Sequence, residues 1–261
     1  MCGRTMLTSP VSALQRIFGV PERPNLKPRW NIAPTQEIAV VRRNGDGRRG
    51  RDGWSLALPR WGLVPGWARA LPTGAPLVNA RSESAAEKPA FRDALRARRC
   101  LIPVDGFYEW TGTGGRKQGH VIRRRDRALF ALAGLWDRWN GPADGPPLAA
   151  PLESAAVLTT AANGSLSALH HRMPVVLDPA DWAAWLDPAT PMPDIAALMR
   201  PAPDEWLDHT PVGPRVNAVA NDDPSCLDPP TLDPSTLDPS ARTDLRADAP
   251  PEPPHAQLSL F

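Results

Sequence analysis

Proline and glycine punctuate this chain so often that only short elements fit between them, with 33 prolines and 19 glycines spread over 261 residues. Proline lacks a backbone donor and pushes the residue before it out of the helical region, so each one tends to end an element. The apolar runs between these stops read as strands at 36–43, 100–104, 121–124, 128–135 and 155–160. The polar stretch 44–53 reads as a surface loop. Residues 84–99 read as a helix, with Ala90, Phe91, Ala94 and Leu95 on one stripe and arginines elsewhere. Residues 178–186 read as a second helix, capped by Asp178 with Pro179 in its first turn. Short mixed elements without a βαβ rhythm predict an α+β fold rather than a doubly wound sheet.

At this length, with 42% hydrophobic residues, one good-sized core is expected, hence one domain plus appendages. The three cysteines, Cys2, Cys100 and Cys226, make neither a disulfide framework nor a CxxC metal pair. Reduced thiols in a cytoplasmic monomer are expected. No secretory n-region and no run of about eighteen uncharged apolar residues is present, which argues against secretion and membrane spanning. No clustered ligands or phosphate loop imply a metal or nucleotide cofactor, so none is expected.

The net charge of +2 hides an asymmetry, because residues 221–261 hold 8 acidic and 2 basic side chains. The remaining 28 basic and 20 acidic groups give residues 1–220 a net charge of +8, which suits a polyanionic partner. The acidic tail repeats Leu-Asp-Pro three times at Leu227, Leu232 and Leu237, with little to bury. Residues 227–256 are therefore expected to be a disordered, solvated linker. The chain closes on Gln257-Leu258-Ser259-Leu260-Phe261, which looks like the bacterial sliding-clamp-binding pentapeptide, Gln-Leu-x-Leu-Phe. Its glutamine suits the rim of a pocket and its Leu and Leu-Phe groups suit apolar subsites.

Cys2 carries the most distinctive chemistry. Removal of Met1 would leave a free α-amine and a thiol on adjacent carbons, with reference pKa values of about 8 and about 8.5. Such a pair condenses with an aldehyde to an imine, and the thiol then closes a thiazolidine ring. It also suits an N-terminal nucleophile. Glu109, flanked by Phe107, Tyr108 and Trp110, sits where burial would raise its pKa and suit it to proton shuttling. A structural glutamate at a strand end, a satisfied loop histidine at His170, and turn-forming roles for Asn79 and Arg81 remain open on the residues alone.

Five motifs occur in order: Trp30-Asn31-Ile32-Ala33-Pro34-Thr35, Arg60-Trp61-Gly62-Leu63-Val64-Pro65, Asn79-Ala80-Arg81-Ser82-Glu83, Gly106-Phe107-Tyr108-Glu109-Trp110 and His170-His171-Arg172-Met173-Pro174. Together with Cys2-Gly3-Arg4 they resemble the SRAP family, the SOS-response-associated peptidase-like proteins that process abasic sites in DNA. The resemblance implies a domain over 2–226, with mixed, largely antiparallel sheets forming an open barrel-like core ringed by short helices. It implies Cys2 as the crosslinking residue, Asn79 as positioner of sugar and amine, and Glu109 and His170 as proton carriers. Arg4, Arg81 and Arg172 match basic residues facing DNA phosphates, and Trp110 lies beside the site.

The expected partner is single-stranded DNA, or a junction of single and double strands, carrying an abasic site. Among the tryptophans near arginines, Trp61, Trp67 and Trp110, one or two are expected to stack on bases. A clamp contact through 257–261 would place the protein at replication forks, associated with the nucleoid. The segments 44–53 and 141–151 look like insertions, and Gly119-His120 replaces a proline and an aromatic common in the family. Two other functions compete. One is a cysteine peptidase with Cys2 as nucleophile, assisted by His170 and Glu109 or Asn79, including self-removal of Met1. The other is a noncatalytic DNA-binding adaptor.

Overall fold

A computed structural model describes residues 2–43, 53–112, 117–146 and 148–231. Packing joins the described residues up to Pro229 into one compact unit. The segments 44–52 and 232–261, which include most of the expected surface loop, most of the expected linker and the whole pentapeptide, lie outside the described residues.

Two sheets carry the unit. The first has five antiparallel strands. They are β1 (Thr5–Leu7), β2 (Arg29–Ile32), β8 (Gly106–Thr111), β9 (Gln118–Arg124) and β14 (Leu207–Val212), in the order β14-β9-β8-β1-β2. The second is built on β3 (Val40–Arg43), β4 (Trp54–Ala57), β7 (Arg99–Val104), β10 (Phe130–Trp139), β11 (Leu152–Ala161) and β12 (Arg172–Pro174), in the order β12-β11-β10-β7-β3-β4. Three short strands join it from the side. β5 (Arg60–Trp61) and β6 (Asn79–Arg81) run parallel to β11, and β13 (Val176–Leu177) runs antiparallel to β10. The result is the expected α+β fold, mostly antiparallel and curled into an open half-barrel. Five short helices accompany it: α1 (Val11–Phe18), α2 (Ser82–Ala85), α3 (Pro89–Ala97), α4 (Trp182–Leu186) and α5 (Met192–Leu198). Among the described residues no helix is long and apolar enough to cross a membrane.

The core lies behind β7, β10 and β11. All six residues of β7 are buried, which its apolar reading predicts. β10 approaches β7 closely at Gly134, where an added Cβ would meet Ile102 Cδ1 at 2.7 Å and Cys100 Sγ at 2.9 Å. Buried Arg99 is held by carbonyls, donating to Leu95, Arg96, Trp185 and Asp187. These lie at the C-terminal ends of α3 and α4, where helical carbonyls lack intrahelical partners. A smaller cluster on the first sheet gathers Met6, Tyr108, Val121, Val212, Val216 and Cys226.

Three sequence expectations change in detail. The single helix over 84–99 is two helices, α2 and α3, because Lys88 is extended at ψ 123° ahead of Pro89. Phe91, Ala94 and Leu95 of the expected stripe are buried all the same. The strand expected over 36–43 starts at Val40, since Thr35 turns the chain with φ 72° and Glu37 makes only an isolated bridge to Arg60. Asp178 caps its helix by accepting from Ala180 N, but the first turn, Pro179–Asp181, is a 3₁₀ helix that leads into α4.

Candidate active site around Cys2

Cys2 stands just before β1 and is 1% exposed. Its carbonyl oxygen accepts a hydrogen bond from Asn79 Nδ2 at 2.8 Å. Asn79 is fixed by the parallel pairing of β6 with β11, where it lies opposite Val157. Asn79 Oδ1 is buried and has no hydrogen-bond partner among the described residues. The Cys2 nitrogen is an amide while Met1 precedes it, and stands in for the α-amine that Met1 removal would create. Burial pushes the Cys2 thiol well above the usual thiol range, and the charge of nearby Glu109 pushes it further.

Glu109 reaches this position through the alternation of β8. Successive side chains of a strand face opposite ways, so Phe107 and Glu109 share one face while Tyr108 and Trp110 share the other. Glu109 is buried, and its Oε1 lies 3.6 Å from His170 Nε2. The backbone N–H of Arg172 donates to His170 Nδ1 at 2.9 Å. That bond makes Nδ1 an acceptor, so a neutral His170 carries its proton on Nε2, toward Glu109. Burial draws the His170 pKa below its ordinary value, against the opposing charge of Glu109. Phe107, Glu109, Ile122, Leu166, Leu169, His170 and Arg172 line a small cleft of about 180 Å³. The His171 ring stacks on His170 with centroids 4.2 Å apart. Cys2, Asn79, Glu109 and His170, far apart in sequence, thus form one neighbourhood.

The basic and aromatic residues divide. Arg81 is exposed at the end of β6, and its guanidinium makes no hydrogen bond or ion pair among the described residues. Arg172 is 11% exposed in its side chain and grips Glu83 bidentately, Nη1 to Oε1 at 2.5 Å and Nη2 to Oε2 at 2.8 Å. Arg4 donates to Asn31 Oδ1 at 2.7 Å and to the carbonyls of Val216 and Asn217. It also lies over the Trp110 ring, 5.7 Å from the centroid. Trp110 Nε1 donates to Asn217 Oδ1 at 2.7 Å, so the Arg4 and Trp110 pair packs on the sheet face opposite Glu109. Trp61 is completely buried, and its Nε1 donates to Val78 O, which corrects the expectation that it could stack on bases. Trp67 is 60% exposed.

The family described as SOS response associated peptidase (SRAP) matches residues 1–219. The chain belongs to the SRAP family. The match takes in Cys2, Asn79, Glu109 and His170 and ends before the Leu-Asp-Pro repeats. The abasic site processing protein YoqW of Bacillus subtilis is 33% identical over 233 residues, covering 87% of this chain and 99% of that protein. The abasic site processing protein HMCES of Gallus gallus is 30% identical over 266 residues, covering 87% of this chain and 77% of its own. Among solved structures, a protein from Bacteroides thetaiotaomicron superposes with a TM-score of 0.73 at 23% identity, covering 87% of this chain and 99% of that one. One from Bordetella bronchiseptica gives 0.67 at 25% identity, covering 81% and 99%.

In this SRAP chain, two partners of the site escaped the sequence reading. Glu83 was visible only as the last letter of a motif, and Thr159, whose carbonyl accepts from Arg172 Nη2 at 2.6 Å, carried no signal in an apolar strand. His120 lies directly opposite Glu109 in the β8–β9 register, but its ring turns toward Thr111 and packs edge-on against His209.

Proposed function

We propose that this protein is an abasic-site sensor that captures the ring-opened aldehyde of an abasic deoxyribose in single-stranded DNA through Cys2, once Met1 is removed. The observation that carries the reading is the Asn79 Nδ2 bond to the Cys2 carbonyl, which fixes the residue beside the Glu109 and His170 pair. The names of the relatives, abasic site processing proteins, support the substrate class.

The chemistry balances without a redox partner. The neutral amine of Cys2 adds to the aldehyde carbon, and the carbinolamine loses its hydroxyl, protonated on departure, as water. The thiol then adds to the imine carbon, its proton passing to a base, and the imine nitrogen takes up a proton. One water is released per thiazolidine formed. Glu109 and His170 are the acid and base for these transfers, a role worth roughly 10²–10⁴-fold when well positioned. The unpartnered Asn79 Oδ1 suits an N–H of the new amine or a sugar hydroxyl.

Arg81, exposed and unpaired, is the foremost phosphate contact, with Trp67 as a stacking surface. Arg4 and Trp110 brace the sheet from behind in this reading. The tail 227–256 serves as a tether that presents 257–261 to the sliding clamp and holds the domain at replication forks as a monomer.

The test mixes the Met1-processed protein with an oligonucleotide bearing one abasic site, followed by a heat-denaturing gel. A shifted band is expected from the processed wild type and not from Cys2→Ala or a form that keeps an extra N-terminal residue. A shifted band from the extended form would replace thiazolidine capture with thiol-only chemistry, the peptidase-like alternative. No band from a protein with a free Cys2 confirmed by mass spectrometry would reject capture. For the tail, a peptide of residues 250–261 is expected to bind the purified clamp, and Leu260→Ala with Phe261→Ala to abolish binding; a peptide that fails to bind rejects the tether.

A further inference from the structure

We propose that Glu83 is a positioning residue for His170, acting through Arg172, so that Arg172 serves the proton machinery rather than a DNA phosphate. The inference rests on the reading of His170 as a proton carrier at Cys2, and it follows a chain of contacts that crosses three elements. At the start of α2, the half-exposed Glu83 carboxylate takes both Nη groups of Arg172. Arg172 Nη2 also donates to the Thr159 carbonyl on β11 at 2.6 Å, tying its side chain to the sheet. The backbone N–H of the same arginine holds His170 Nδ1 at 2.9 Å, and His170 Nε2 faces Glu109 at 3.6 Å.

A bidentate carboxylate and guanidinium pair fixes both distance and plane, which a single hydrogen bond does not. With Arg172 pinned at Glu83 and Thr159, the turn from His170 to Arg172 presents an N–H to Nδ1, and that bond selects the tautomer whose proton lies on Nε2. The ladder between β12 and β11, where Arg172 lies opposite Ala161, holds the backbone from the other side. Releasing the side chain therefore loosens the turn without dissolving it. The groups that face His170 are Glu109 from β8, His171 from its own turn, Arg172 from β12 and Cys2 from the N-terminal segment; Glu83 reaches it only through Arg172.

A phosphate role for Arg172 makes the opposite demand. Glu83 would then compete with DNA for the guanidinium, and neutralising Glu83 would strengthen binding and steepen its salt dependence. Glu83→Gln separates the two. We expect capture at saturating abasic DNA to slow on the order of tenfold at pH 7, part of the roughly 10²–10⁴-fold that a positioned acid–base group supplies. Its pH profile should change shape, while the salt slope for undamaged single-stranded DNA stays at the wild-type value. Glu83→Asp, which keeps the charge, should restore most of the rate, and Arg172→Lys, which loses the fork, should behave as Glu83→Gln. Long-range proton–nitrogen NMR of His170 reads the tautomer without any reaction. The Nε2-protonated form is expected in the wild type and a mixture in Glu83→Gln. An unchanged tautomer and pH profile in Glu83→Gln, or tighter binding with a steeper salt slope, would overturn the proposal. If the wild type forms no crosslink, the proposed function fails, and the NMR result still decides whether Glu83 positions His170.

Discussion

Asn79→Ala removes the donor that fixes Cys2 and leaves every charged group of the site in place. The bond at stake is 2.8 Å long, and its acceptor belongs to a residue that is 1% exposed, so water does not readily replace the lost N–H. Leaving a buried acceptor unsatisfied costs about 1–3 kcal/mol. At about 1.4 kcal/mol per decade, the full amount would slow capture between about fivefold and 150-fold. Part of it falls on folding rather than on reaction, so a decrease of about tenfold in the saturating rate is expected. Asn79→Asp should be slower still. A carboxylate gives no N–H to the Cys2 carbonyl, and its negative charge beside Glu109 would hold the new amine as ammonium, which cannot add to an aldehyde. The assay is single-turnover crosslinking at saturating abasic oligonucleotide, with thermal melting to separate folding from chemistry. A rate within twofold of wild type for Asn79→Asp would refute the argument, as would a loss wholly recovered by raising the DNA concentration.

Cys2 should resist simple alkylation despite being the nucleophile: in the form that keeps Met1, iodoacetamide labelling followed by mass spectrometry should still be accelerating at pH 9, above the ordinary thiol pKa of about 8.5, because the folded thiol is raised. Rapid labelling that levels off below pH 8 would contradict this. Gly134→Ala should destabilise the fold by about 1–3 kcal/mol in urea melts, since the new methyl overlaps Ile102 and Cys100; a change under about 0.5 kcal/mol would mean that β7 and β10 part easily. Trp61→Ala should cost about 3–5 kcal/mol of stability. Trp67→Ala should leave the melting curve in place and weaken single-stranded DNA binding by about 1–3 kcal/mol, and equal effects of the two on stability would reject the division between core and surface.

The strands that could be read in advance are those buried on both faces. β7, β10 and β11 carry long apolar runs, so burial and sequence say the same thing. β5 and β6 span two and three residues, and are strands only because β11 offers them hydrogen bonds, a tertiary fact that no local pattern carries. The Glu109 and Trp110 neighbours mark the same limit within the site. Adjacent in sequence, they point to opposite faces, and one joins His170 while the other joins Arg4 and Asn217. The motif reading located the chemistry by residue type and order, and it could not say which arginine was already occupied. Arg81 and Arg172 look alike in the sequence, yet one is open and the other is locked to Glu83.

A nucleophile whose pKa is raised looks like a poor choice until the order of bond formation is considered. On the proposed chemistry the amine reacts first, and it needs no thiolate. Protonation of the imine places a positive charge one bond from the incipient ring, beside Glu109. The carboxylate that disfavours the free thiolate then stabilises the iminium, and the electrophile is delivered within reach of the sulfur by the same residue's own backbone. Loss of the thiol proton can accompany S–C bond formation, with Glu109 or His170 as acceptor, so no free thiolate has to accumulate. Burial and the neighbouring carboxylate thus protect Cys2 from reagents that demand a thiolate, and place no matching barrier before an aldehyde that enters through the amine. The two predictions are linked for that reason: if Cys2 alkylates readily in the folded protein, the amine-first order loses its physical support even where crosslinks form.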